Sequence, residues 1–255
     1  MAALWVVGVL VVSVQASALH VNNFETFRTA WQNLMAGRDL YGANPSHHDF
    51  YKYSPTFALL FAPFALVPFT AGVLLWNAAN ALALYWSIGQ VLEPRPALAA
   101  RAIVFLDAVG SMQNVQSNAL SAGLMIMAFA FLYARREARA ALAIAVGAAI
   151  KIFPVVAGVF ALFRPYRLPR FALISVGVAV LTVAAPPVVL SPSALAAQYR
   201  SWAAISGSDA LMRGYSVMEQ IHLWTGADWP NWPVQLAGAL VLLAPLGRIS
   251  RAWVE

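Results

Sequence analysis

The sequence predicts an all-α, polytopic membrane protein, and three observations carry that prediction. Of 255 residues, 61% are hydrophobic and only 10% charged, against about 45–50% apolar and about 25% charged in an ordinary globular domain. The apolar residues gather in runs of spanning or near-spanning length. The basic residues, which bring the net charge to +6, sit in short segments between those runs. That placement is expected of topology signals rather than of a polyanion-binding surface, so no nucleic-acid partner is expected. The chain has no cysteine, which excludes disulfide frameworks, thiolate metal sites and cysteine nucleophiles.

Taken in order, the first apolar run is Ala2–Leu19. No basic flank precedes it and no clear cleavage site follows, so a retained span is expected. Pro55–Phe69 is shorter and holds Pro55, Pro63 and Pro68, which marks it as re-entrant. Thr70–Leu92, Ala102–Ser111, Ala119–Ala134, Ala140–Phe163, Phe171–Leu190 and Val234–Leu246 follow. About 20 residues cross a hydrocarbon core of about 30 Å. The basic clusters around Arg95, Arg135, Arg167 and Arg248 are all placed inside by the positive-inside rule. The second and third share a side only if Ala140–Phe163 crosses twice, and Lys151 with Pro154 supplies the turning point. The result is about eight crossings in a single integral membrane domain, residues 1–255. Both termini lie inside, and two hydrophilic outer loops cover 20–54 and 191–231.

The first outer loop is the richest in chemistry. Phe24, Phe27, Trp31 and Leu34 recur at helical spacing, which predicts an interfacial amphipathic helix over Asn23–Ala36 ended by Gly37. The stretch GRDLYGANPSHHDFYKYSP then mixes Asp39, His47, His48, Asp49 and Lys52 with Tyr41, Tyr51 and Tyr53. Carboxylate, imidazole, ammonium and aromatic ring together suit a polar substrate at a membrane surface. His47-His48-Asp49 is adjacent in sequence and so converges poorly on one ion; no metal is assigned. Asp107 is an intramembrane carboxylate, a costly residue there and usually a functional one. It precedes the amides of QNVQSN, which include Gln113, Asn114 and Asn118. Lys151 places an ammonium among apolar residues, and a lipid phosphate is its natural counter-ion. The second outer loop offers Trp202, Trp224, Trp229 and Trp232 with Asp209, Arg213, Glu219, His222 and Asp228. No phosphate-cradling glycine loop, GxSxG or HExxH occurs.

GRDLY, DFYKYSPTFALLFAPFALVP, QNVQSN and GAAIKIFP occur in that order, and from about residue 20 to 165 the chain resembles glycosyltransferase family 87. The resemblance implies a helical bundle of the GT-C type and an active site on the extracytoplasmic face of the plasma (inner) membrane. It also implies inverting transfer of a hexosyl, expected to be mannosyl, unit from a polyprenyl-phosphate donor to a hydroxyl of a glycan or glycolipid acceptor. Membrane lipids are the remaining partners, and no cofactor is implied. Two departures stand out. Members usually carry an aspartate as base where NNFETF places Asn23, and asparagine accepts no proton. The chain is also shorter than typical members, as a truncated form would be.

Such a transfer needs a carboxylate to take the acceptor's proton and cations to stabilise the departing phosphate. Asp49 is the first choice as base, ahead of Glu25 and Asp107. Lys52 and Lys151 are assigned to the phosphate, with Arg28 behind them. Tyr51, Tyr53, Gln113, Asn114 and Asn118 complete the substrate-binding set. Two other classes compete: a lipid-linked-sugar transporter or flippase, for which the broken hairpin speaks, and a catalytically inactive relative, for which Asn23 speaks.

Overall fold

The computed structural model describes residues 1–43, 49–163, 167–209, 216–227 and 229–244, and every regular element among them is helical. The chain divides into two compact units, Met1–Trp202 and Ala203–Glu255.

The first unit opens with α1 (Ala2–Ala18), which turns through 76° into α2 (Asn22–Met35). Trp5, Val9, Val12 and Ala16 of α1 are buried, while Val6, Val7, Leu10, Val11 and Val14 are exposed. One face meets the bundle and the other is apolar enough for hydrocarbon. The amphipathic stripe expected in α2 is present: Phe24, Phe27 and Leu34 are buried and Trp31 is half-buried. The stripe meets protein rather than lipid. It packs on α3 (Pro55–Leu60) and α4 (Ala62–Ala65), the two short helices of the proline-rich segment. The Phe27 ring lies 5.2 Å from Phe57, 5.3 Å from Phe61 and 5.9 Å from Trp76. Each such edge contact contributes about 0.5–1.5 kcal/mol beyond area burial. Gly37, at φ 66°, ends α2 as expected, with its N–H donating to the Leu34 carbonyl and the Arg38 N–H to that of Asn33.

The long helix α5 (Phe69–Val91) runs through the unit's centre and packs against α1, α6 (Pro94–Ile103), α7 (Phe105–Gln113) and α8 (Asn118–Tyr133). Its closest partner is α8, because Gly123 brings that helix onto the Ala83 backbone. A Cβ there would stand 2.7 Å from the Ala83 carbonyl carbon. Buried amides tie α5 to α1, α7 and α8. Asn77 donates to Ser13 Oγ and to the Met112 carbonyl, both at 3.1 Å, and Asn80 Oδ1 accepts from the Leu120 N–H at 3.0 Å. Where hydrophobic driving force between helices is absent, small residues and buried hydrogen bonds are what hold them.

Ala140–Phe163 breaks at the expected point. α9 (Glu137–Ile150) stops at Lys151, whose backbone is extended, and a 3-10 helix (Phe153–Phe163) then packs back on α9 and α8. α10 (Leu168–Val183) packs on α9 and has an exposed apolar outer face that includes Leu173, Val176 and Val180. A short 3-10 turn (Pro186–Val188) leads to α11 (Pro192–Asp209). The second unit carries α12 (Val217–Thr225) and α13 (Asn231–Leu243).

Two expectations change. The described residues of 191–231, a stretch read as a hydrophilic loop, are largely helical. By length and apolarity, two helices among the described residues can cross a membrane alone, Phe69–Val91 and Leu168–Val188, or three if bent α1–α2 counts as one. Single helices thus do not supply the eight crossings expected: breaks at Val104 and Lys151 divide two of the other runs, and α1, α8 and α13 have 17, 16 and 13 residues.

Candidate active site

The C-terminal end of α1, the N-termini of α2, α3 and α8, and the C-terminal ends of α7 and α9 are joined by polar contacts, and most of the residues expected to act lie among them. Local sequence explains the arrangement. Ser54 caps α3, its Oγ accepting the Phe57 N–H at 3.1 Å, with Pro55 at the first helical position. The same hydroxyl donates to the Ala149 carbonyl at 2.6 Å, which ties the segment before α3 to the last turn of α9, just before Lys151.

Asp49 lies at the N-terminus of α2. Its Oδ2 accepts a 2.7 Å hydrogen bond from Asn22 Nδ2, and the positive end of the helix dipole favours a carboxylate there. Burial, and then the Asp49 carboxylate, push the Tyr53 hydroxyl pKa up. Asn23, where a family aspartate is expected, points elsewhere: its Nδ2 donates to the Asn114 carbonyl at 2.7 Å. An aspartate in this rotamer would set carboxylate against carbonyl. Position 23 thus serves as a staple between α2 and the α7–α8 linker, and the neighbouring Asn22 holds a carboxylate at the same helix end.

The α7–α8 linker is rigidly defined. Val115 takes a left-handed backbone (φ 51°) although it is β-branched, a conformation that costs roughly 1–3 kcal/mol. It is held because its side chain is fully buried, its carbonyl accepts the Trp76 indole N–H at 3.1 Å, and its N–H donates to the Met112 carbonyl at 3.0 Å. Around it, Gln113 Nε2 donates to Gln15 Oε1 at 3.3 Å. Asn118 Nδ2 donates to Gln116 Oε1 at 2.8 Å, and Lys151 Nζ donates to Asn118 Oδ1 at 2.5 Å. The ammonium is therefore held at the N-terminus of α8, a second place where backbone N–H groups favour an anion.

The remaining candidates scatter around these two points. Glu25 and Arg28 are half-buried on α2, and Arg28 Nε is buried without a hydrogen-bond partner among the described residues. Tyr51 is buried and donates its hydroxyl to the Ser54 carbonyl at 2.8 Å; burial raises its pKa well above the ordinary value. Lys52 is exposed, and its carbonyl accepts the Trp202 indole N–H at 3.0 Å. Asp107 lies about two turns down α7 from Gln113 and lines a cavity of about 730 Å³ between α5, α6, α7 and α8, whose wall also includes Ser111, Gln116 and Asn118. His47, His48, Arg213 and Asp228 fall outside the described residues, as do Arg164, Arg248 and Arg251.

Sequence reasoning missed Asn22, Gln15 and Ser54. Only Ser54 carried a readable signal, the Ser-Pro pair that opens a helix. The amide pairings join residues up to 98 positions apart and have no local signature.

The glycosyltransferase family 87 model matches residues 50–254. The match begins at the Tyr51–Lys52 segment and takes in Asp107, the linker amides, Lys151, α11 and α12. It runs past residue 165, where the resemblance ended, and leaves out residues 20–49, which hold Asn23, Glu25, Arg28 and Asp49. Neither a curated protein nor a solved structure matches the chain. With four-fifths of its length under the family model and an apolar helical fold around the matched polar residues, the chain belongs to glycosyltransferase family 87, whose members are membrane glycosyltransferases.

Proposed function

We propose that this protein transfers a hexosyl, specifically mannosyl, unit from a polyprenyl-phosphate donor to a hydroxyl of a glycan or glycolipid acceptor. In this reading it is a multi-pass protein of the inner membrane, with broken runs completing crossings as helix pairs, and it acts on the extracytoplasmic face. The observation that carries the proposal is the pairing of Asp49 with Asn22 at one helix N-terminus and of Lys151 with Asn118 at another, with the Asn23–Asn114 and Ser54–Ala149 hydrogen bonds tying their segments together.

The chemistry divides between these points. The acceptor oxygen attacks the anomeric carbon, the carbon–oxygen bond to phosphate breaks, and polyprenyl phosphate leaves with the electron pair. Asp49 takes the acceptor's proton; Glu25 and Asp107 also lie in first turns of helices, and Asp49 is preferred because the Asn22 amide donates to its carboxylate and orients it. Attack opposite the leaving group inverts the anomeric configuration. Lys151 and the α8 N-terminus stabilise the negative charge on the leaving phosphate, with Lys52 and Arg28 further out. Tyr53, whose hydroxyl feels the Asp49 carboxylate, and the linker amides Gln113 and Asn114 can orient the sugar, and Tyr51 supports the segment before α3.

Asp49→Asn should lower kcat by about 10²–10⁴-fold, the usual range for loss of a general base. Lys151→Ala should lower it by about a hundredfold. Both are measured as transfer of labelled sugar from the donor in detergent or vesicles. Full activity in both variants would remove the site assignment. Donor binding without transfer by the intact wild-type chain would favour an inactive relative, and sided translocation without transfer would favour a flippase.

A further inference from the structure

α11 grips both ends of the loop that carries Asp49. Gln198 is buried and makes two hydrogen bonds to that loop: its Oε1 accepts the Leu40 N–H at 3.1 Å and its Nε2 donates to the Arg38 carbonyl at 3.0 Å. One turn further along the same face, Trp202 donates its indole N–H to the Lys52 carbonyl at 3.0 Å. These contacts span about 150 residues of sequence. Within the loop, the Tyr41 hydroxyl donates to the Tyr53 carbonyl at 2.9 Å and closes its base. α11 is itself seated on the end of α10, where the Tyr199 hydroxyl donates to the Val183 carbonyl at 3.3 Å.

The geometry points to Gln198 and Trp202 as positioning residues for the transfer reaction. They fix the two ends of segment 38–52 so that Asp49, three residues before Lys52, stays against Asn22 at the start of α2. Gln198 suits this task because one amide supplies an acceptor and a donor to backbone groups two residues apart, as a neighbouring strand would. A polar side chain buried at 5% exposure with both functions satisfied by one short segment is costly to replace. The Trp202 indole supplies a single directed donor. This inference rests on the reading of Asp49 as the base.

The test uses the full-length protein with Gln198→Met, close in volume but without either hydrogen bond, and Trp202→Phe, which keeps an aromatic ring and loses the N–H. Each should lower kcat by about tenfold to a hundredfold, the scale on which misplacement of a reacting group acts, with the donor KM within about twofold. Hydrogen exchange supplies a readout independent of turnover: the Leu40 amide, in a peptide covering 38–43, should exchange faster in Gln198→Met. Faster exchange with unchanged kcat would overturn the positioning role, and unchanged exchange would overturn the clamp itself. If Asp49→Asn keeps full activity, the base assignment fails while the exchange result still reports on the clamp.

Discussion

Asn22 and Asn23 are adjacent and chemically identical, yet the fold gives them different work. Asn22 orients the Asp49 carboxylate, whereas Asn23 holds the linker through the Asn114 carbonyl. Asn22→Ala should therefore act mainly on turnover, lowering kcat about tenfold as Asp49 loses its orienting donor. Asn23→Ala should act mainly on stability, costing about 1 kcal/mol for one lost hydrogen bond, seen as a drop in Tm in detergent. Equal effects on both readouts would contradict the division. The tyrosines give a pH dependence at the same scale. Tyr51 and Tyr53 have pKa values raised in the fold, first by burial, so the folded state holds their protons more tightly than the unfolded chain does. Their contribution to stability is complete below the unfolded pKa near 10 and is lost as pH rises through the folded values. Ultraviolet titration of the phenol band should show these tyrosines ionising late, together with opening of the first outer loop. Ordinary titration near pH 10 would show that the loop does not bury them.

At the scale of elements, the α5–α8 contact depends on one residue without a side chain. Gly123→Ala places a Cβ 2.7 Å from the Ala83 backbone, and backbone cannot yield as a flexible side chain does. The expected cost is about 1–3 kcal/mol, measured as a lowered Tm; Gly110→Ala, where a Cβ would meet nothing within 4 Å, should cost little. Element by element, much was readable in advance. Unbroken apolar runs gave α1, α5 and α8 nearly to their ends, and Lys151 with Pro154 gave the break after α9. Less was readable where helices are polar. α6 begins Pro94-Arg95-Pro96, and α11 begins at Pro192 capped by Ser191 Oγ, which accepts the Ala194 N–H at 3.2 Å. Both are sound helix starts, but low apolar content disguised them as loop. α2 was legible as an amphipathic helix, though not its covering, because sequence periodicity reports a sticky face without saying whether lipid or Phe57 and Phe61 will meet it.

Over the whole molecule, composition fixes the class and chain topology fixes the site. An apolar exterior on α1 and α10 suits hydrocarbon, and the basic residues lie mostly in the segments read as inner. The polar residues that remain converge where six helix ends meet. Sequence placed Asp49, Lys151 and the linker amides on one face. It did not pair them, since pairing arises from the turn between α1 and α2, the strained turn at Val115 and the fold-back at Lys151. The central claim is that this family 87 chain moves a sugar from a lipid phosphate, with Asp49 taking the proton. The most direct measurement is transfer from labelled polyprenyl-phosphate mannose to an acceptor hydroxyl by the purified full-length protein in vesicles, beside Asp49→Asn at equal folded concentration. The account predicts transfer with inverted anomeric configuration, reduced by at least about a hundredfold in the variant. Equal transfer by the two proteins, or a product of retained configuration, would contradict it.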